Sequence, residues 1–95
     1  MRSMNNYSED ILRENSIEVL FGQVLKRLRQ ERGLSQEELG FESGYHRTYV
    51  SLLERGKKNP SLKTVFQLAK ALKMEPSQII EAVQTLVVFK SNRQR

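Results

Sequence analysis

The chain contains no cysteine, a single histidine and only two prolines. Without cysteine there is neither a disulfide framework nor a thiolate metal cluster, which fits a reducing cytoplasm. His46 alone makes no ligand set, so neither a metal nor any other cofactor is expected. Spacing locates no paired acids in an apolar pocket, which disfavours an enzyme. Glu37, Glu38 and Glu42 read instead as helix-surface charges. Long apolar runs are missing too: the longest are a few residues, too short to span a bilayer, so no membrane partner is expected. Met1-Arg2-Ser3-Met4-Asn5-Asn6 lacks the apolar core of a secretory signal.

What the chain does have points elsewhere. Its 95 residues, 38% of them hydrophobic, suffice for one compact core but not for a deep cavity or a second, effector-holding domain. Sixteen Lys and Arg against eleven Asp and Glu give a net charge of +5, which favours a polyanionic partner. Charge alone does not decide, since many basic domains bind no nucleic acid.

Residues 1 to 15 are polar and read as a flexible arm; an arm that folds over a partner subunit or reaches toward DNA is the alternative, for which only Arg2 and Arg13 offer phosphate contacts. Ile17, Leu20, Phe21, Val24, Leu25 and Leu28 recur at three- and four-residue steps and predict a first helix from about Ile17 to Arg32. Gly33 ends it, with Arg29 and Arg32 set against the negative end of the helix dipole. Lys26, Arg27, Gln30 and Arg32 read as mostly solvated. Ser35 and Glu38 form a capping box ahead of a second helix over Gln36–Ser43. Gly44 supplies the freedom of a sharp reversal. A third helix follows over about Arg47–Arg55, with Val50 and Leu53 inward.

The loop Gly56-Lys57-Lys58-Asn59-Pro60 leads to a Ser61 cap and a fourth helix, about Leu62–Leu72, buried through Val65, Leu68, Ala69 and Leu72. Pro76 fits the first position of a fifth helix reaching about Phe89. Leu86-Val87-Val88-Phe89 has strong β propensity, so an edge strand is the alternative for its end. Residues 90–95 read as a basic tail, leaving 16–89 as the folded domain.

Two short helices joined at a glycine, from Ser35 to Gly56, read as a helix-turn-helix. This stretch resembles the lambda-repressor-like (XRE/Cro-type) helix-turn-helix family. The resemblance continues through Gly33-Leu34-Ser35-Gln36-Glu37-Glu38-Leu39 and Leu53-Glu54-Arg55-Gly56-Lys57-Lys58-Asn59-Pro60-Ser61-Leu62, covering about Phe21 to Ile80. Within the family, His46-Arg47-Thr48-Tyr49-Val50-Ser51 is similar to the recognition helix of restriction–modification controller proteins. The resemblance implies an all-α, compact five-helix DNA-binding domain, double-stranded DNA as partner and no enzymatic activity. It also implies that Arg29 pairs with Glu54, that Gln36 contacts backbone phosphate, and that the region after the third helix grips the sugar–phosphate backbone.

On the third helix, His46, Arg47, Thr48, Ser51 and Leu52 fall on the outward side as candidate base readers. Arg47 leads, because a guanidinium can bond guanine O6 and N7 together. Its alternative is a solvated surface arginine, and the outward register favours the reading role. Thr48 offers a hydroxyl and a methyl, and Ser51 a short hydroxyl. His46 can donate to a base or phosphate, or cap its helix, with capping preferred. Tyr49 either directs its hydroxyl to a phosphate or fills space beside the fourth helix. The backbone-contact candidates are Ser35, Gln36, Tyr49, Lys57, Lys58, Asn59, Ser61, Lys63 and Thr64.

One recognition helix reads too few base pairs, and a two-fold homodimer on an inverted repeat supplies the rest. The apolar excess at Ile80, Val83 and Val87 is the candidate dimer surface; the alternative is that these residues complete the protomer core beside Ile79. A bound dimer can exclude RNA polymerase or touch it, so the sign of regulation stays open. A module binding only protein through the same fold, as in coactivators and antitoxins, is the alternative function.

Overall fold

Ser16 starts the first helix by accepting the Val19 N–H on its hydroxyl at 3.2 Å. The structure is a computed structural model that describes residues 16–93; the expected arm over 1–15 and the last two residues of the expected tail lie outside the described residues. Five helices follow in order: α1 (Ile17–Glu31), α2 (Gln36–Ser43), α3 (Arg47–Glu54), α4 (Leu62–Ala71) and α5 (Pro76–Arg93). Three stop one residue short of expectation, because Arg32, Arg55 and Leu72 take the C-cap positions. Among the described residues no helix is long and apolar enough to cross a membrane.

Side chains close the other helix starts as well. The capping box is formed: Ser35 Oγ accepts the Glu38 N–H at 2.9 Å, and Glu38 Oε1 accepts the Ser35 N–H at 2.8 Å. Ser61 Oγ accepts the Thr64 N–H at 3.0 Å, and Gln78 Oε1 accepts the Glu75 N–H at 2.8 Å. Each such bond satisfies a backbone donor that the helix itself cannot, at about 1 kcal/mol apiece.

The core gathers the inward stripes of all five helices: Leu20, Leu25, Leu39, Leu53, Leu68, Leu72 and Ile79 are fully buried. Ile17, expected on the buried stripe of α1, is exposed. The fifth helix keeps Leu86–Phe89 helical, as expected over the edge-strand alternative, and brings a further correction: it runs through Lys90 to Arg93 where a tail was expected. Packing overrides β propensity here, because Ile79, Val83 and Val87 recur at four-residue steps and bury one continuous stripe that only a helix keeps aligned. Val83 and Val87 are 8% and 2% exposed within a single protomer, so they complete its core and do not form a free dimer surface. Of that expected set, Ile80 alone stays outside, at 50% exposure.

Two glycines set how closely helices meet. A Cβ on Gly22 would overlap the backbone of Leu53 and Glu54, so α1 can lie against the end of α3 only with glycine there. The missing side chain of Gly40 makes room for the turn itself, at the Tyr45 carbonyl. Gly44 holds φ at 87° and reverses the chain between α2 and α3. Arg32, expected to be mostly solvated, reaches the far end of α4 and donates to the carbonyls of Leu72 (2.6 Å) and Lys73 (2.9 Å). Those bonds hold the turn in which Lys73 adopts a left-handed φ of 59°.

Alanine at Gly22 raises helix propensity by ~1 kcal/mol but forces backbone against backbone. Gly22→Ala is therefore expected to destabilise the fold by about 1–3 kcal/mol net in urea unfolding. A stabilised variant would show that α1 and α3 are free to separate.

Candidate nucleic-acid interface

The placement of α3 depends on one carboxylate. Glu54, at the end of α3, receives Arg29 Nε on Oε2 at 2.6 Å and Arg29 Nη2 on Oε1 at 3.0 Å. Gln36 Nε2 donates to the same Oε1 at 3.0 Å, and Arg29 Nη1 donates to the Leu34 carbonyl at 2.8 Å. One ion pair thus joins α1, the α1–α2 loop, the start of α2 and the end of α3. Both side chains are buried. The hydrogen bond to Glu54 raises the Arg29 pKa above its ordinary value despite an opposing effect of burial, so the guanidinium stays charged.

A second network fixes α4 against the helix-turn-helix. Tyr45 Oη lies 2.9 Å from Thr64 Oγ1 and donates to Gln67 Oε1 at 3.2 Å, while Gln67 Nε2 donates to the Ser43 carbonyl at 2.9 Å. Tyr49 Oη reaches the same Thr64 hydroxyl at 3.4 Å, and the two tyrosine rings pack with centroids 4.9 Å apart at 41°. Ser61 Oγ donates to Thr64 Oγ1 at 3.0 Å. Thr64 is only 3% exposed, which corrects its expected place among backbone contacts: the hydroxyl is the hub of this interior network.

With both networks formed, α3 turns Val50, Leu53 and Glu54 inward and leaves His46, Arg47 and Thr48 exposed, with Tyr49, Ser51 and Leu52 half-buried. The imidazole caps the helix: His46 Nδ1 accepts the Thr48 N–H at 3.0 Å. Arg47 is different from every other arginine whose side chain is described. Arg27 pairs with Glu31, Arg29 with Glu54, Arg32 with backbone carbonyls and Arg55 with Ser51, whereas Arg47 has no side-chain partner among the described residues. Lys57, Lys58, Asn59 and Lys63 are likewise exposed and unpartnered there.

The remaining expected contacts are partly committed inside the protein. The Gln36 amide is engaged by Glu54, and the Ser35 and Ser61 hydroxyls serve their helix caps. Ser51 Oγ accepts from Arg55 Nε at 3.2 Å. Arg55 was not singled out from the sequence; its four-residue offset from Ser51 was the signal that both share a helix face. Gln67 was missed as well, and nothing in its local spacing marks it.

The sequence profile of the helix-turn-helix family matches residues 25–79, more than half of the chain. The chain belongs to this family. It is 41% identical to Control protein C.BamHI of Bacillus amyloliquefaciens over 68 residues, covering 70% of this chain and 84% of that one. With Control protein C.MunI of a Mycoplasma species the identity is 35% over 71 residues, 74% of this chain and 96% of the relative. Among solved structures, the restriction-modification controller protein C.AhdI from Aeromonas hydrophila superposes with a TM-score of 0.63 at 51% identity, covering 64% of this chain and 92% of C.AhdI. The C.Esp1396I controller, solved as a tetramer with its natural 35 base-pair operator, gives a TM-score of 0.71 at 27% identity over 77% of this chain and 96% of its own.

Arg29→Ala leaves a buried carboxylate without its main partner and is expected to cost about 3–5 kcal/mol in urea unfolding. Replacing both partners, Arg29→Met with Glu54→Leu, should recover most of that. If Arg29→Ala unfolds like the parent, the clamp is incidental.

Proposed function

We propose that this chain is a sequence-specific DNA-binding transcriptional regulator of the restriction–modification controller type, acting in the cytoplasm as a homodimer on an inverted-repeat operator. The observation that carries this reading is the unpartnered Arg47, exposed on a helix whose angle is fixed by a buried ion pair. Arg47 reads guanine, with Thr48, Ser51, Leu52 and His46 beside it along the base edges. Lys57, Lys58, Asn59 and Lys63 hold the sugar–phosphate backbone, with Tyr49, Ser35, Gln36 and Ser61 at its margin. So many exposed cations without internal partners favour DNA over a surface that binds only protein.

Two copies place two recognition helices one turn of duplex apart, about 34 Å. With Val83 and Val87 committed to the protomer core, the dimer contact we propose centres on Ile80, in an apolar groove it lines with Ile17 and Leu62, each exposed in the protomer. Removing that surface from water drives association. On DNA, the dimer represses where it overlaps RNA polymerase and activates where it touches polymerase from upstream.

Selection from a random DNA pool tests the central reading, and a palindrome is the expected product. Arg47→Ala should lose ~1–3 kcal/mol of discrimination at particular base pairs. Lys57→Ala and Lys58→Ala should weaken all sequences alike and lower the salt slope by about 0.9 per contact. Equal losses on selected and random DNA for Arg47→Ala would remove it from the reading face.

Ile80→Asp should shift sedimentation from dimer to monomer while leaving thermal stability near that of the parent. A persistent dimer would place the interface elsewhere.

A further inference from the structure

We propose that His46 both caps the recognition helix and reads a base, one task on each ring nitrogen. This inference rests on the regulator reading above and assigns a chemistry to one position of its site. Nδ1 of His46 accepts the Thr48 N–H at 3.0 Å. A ring nitrogen accepts only through a free lone pair, so Nδ1 carries no hydrogen in this arrangement. The neutral ring must then hold its hydrogen on Nε2. Capping therefore does more than close the helix, because it selects the tautomer.

Nε2 lies on the other edge of the ring and has no partner among the described residues. His46 is exposed, immediately before Arg47 and Thr48 at the α3 start, the end of a recognition helix that meets base edges. A hydroxyl cap such as Ser35 or Ser61 also satisfies a first-turn backbone donor, three residues on rather than two, but is too short to present a second donor beyond the helix start. The imidazole spans the cap and presents a second, outward N–H. Two anchors fix that donor: the Thr48 N–H holds the ring, and the Glu54 clamp holds the helix.

A neutral, single N–H donor has a definite selectivity in the major groove. It can donate to guanine O6 or N7, adenine N7 and thymine O4, and it finds no acceptor on cytosine, which presents only its N4 amino donor. Arg47, with paired donors, selects guanine; His46 excludes cytosine at a neighbouring position. Because the ring is neutral while it caps, its contribution releases no counterion, unlike the lysine contacts.

The test separates the two tasks with His46→Ser and His46→Ala, using purified full-length protein and an operator obtained by selection from a random pool. Serine keeps the cap and removes the outward donor; alanine removes both. Expected for His46→Ser is an unchanged melting temperature, an unchanged salt slope, and a roughly three- to tenfold loss of affinity. That loss should be confined to one base-pair position of each half-site, where cytosine becomes tolerated. His46→Ala should show the same relaxed position with a lowered melting temperature. Nitrogen-15 NMR of the neutral ring in the free protein should show the hydrogen on Nε2.

Wild-type discrimination retained by His46→Ser would reduce the residue to a cap and overturn the proposal. A loss spread evenly over all positions and over random DNA would make the contact a phosphate one and overturn base reading. A hydrogen found on Nδ1 would overturn the tautomer argument without touching the regulator reading. Failure of the wild-type protein to select any sequence would overturn both, whereas a selected operator on which Arg47→Ala loses discrimination and His46→Ser keeps it would overturn this proposal alone.

Discussion

A carboxylate sealed inside a protein this small is costly unless nearly every lone pair is used, and Glu54 shows how completely that condition shapes a fold. Its oxygens take two bonds from Arg29 and one from Gln36, while the third nitrogen of the guanidinium is held by the Leu34 carbonyl. Among the described residues, no buried side-chain nitrogen or oxygen lacks a partner. Such a pair adds little net stability, since desolvation offsets most of the attraction. Its effect is angular. The planar fork admits one orientation of the carboxylate, and the carboxylate belongs to the last turn of α3. Gly22 completes the constraint from the other side, because α1 meets the same turn backbone to backbone.

That constraint explains why the outer face can carry so many groups with nothing to hold them. The polar side chains divide into two populations. One is inward and saturated: Arg29, Gln36, Glu54, Tyr45, Thr64 and Gln67 bind α1, α2, α3 and α4 to one another. The other is outward and idle, with Arg47, Lys57, Lys58, Asn59 and Lys63 exposed along α3, the following loop and the start of α4. Rigidity in the first population lets the second remain unsatisfied without the surface collapsing onto itself, and it lowers the ordering cost of engaging a ligand.

Much of this was legible from local rules. Apolar steps of three and four placed α1 and α4, the Ser35–Glu38 capping box marked α2, and Gly44 marked the reversal. The Arg29–Glu54 pair came through resemblance, since nothing in a separation of 25 residues announces it. What stayed hidden depended on tertiary neighbours. Gly22 sits mid-helix, where glycine carries no positional signal until the approaching carbonyls are seen. Thr64 looked like an exposed helix-start residue because the tyrosine hydroxyls of the preceding turn and α3 cannot be inferred from spacing. An apolar stripe tells that Val83 and Val87 are covered, not whether the cover is the same chain or another. At Leu86–Phe89 the strand alternative stayed open from sequence because β propensity is local, while the neighbours that favour the helix are not.

Net charge alone is a poor guide to where the proposed interface lies. The sequence has five more cations than anions, yet four of the arginines with described side chains are occupied within the protein. Arg29 and Arg32, held at three and two fixed acceptors, would have to break those bonds before meeting a phosphate or a base, so they add to the long-range field without adding to contact. The cations freest to bind are those with no partner inside the protein among the described residues. By that criterion the outward stretch at Arg47 and the loop after α3 stand apart from the remaining arginines, and they do so through hydrogen-bond accounting rather than through charge density.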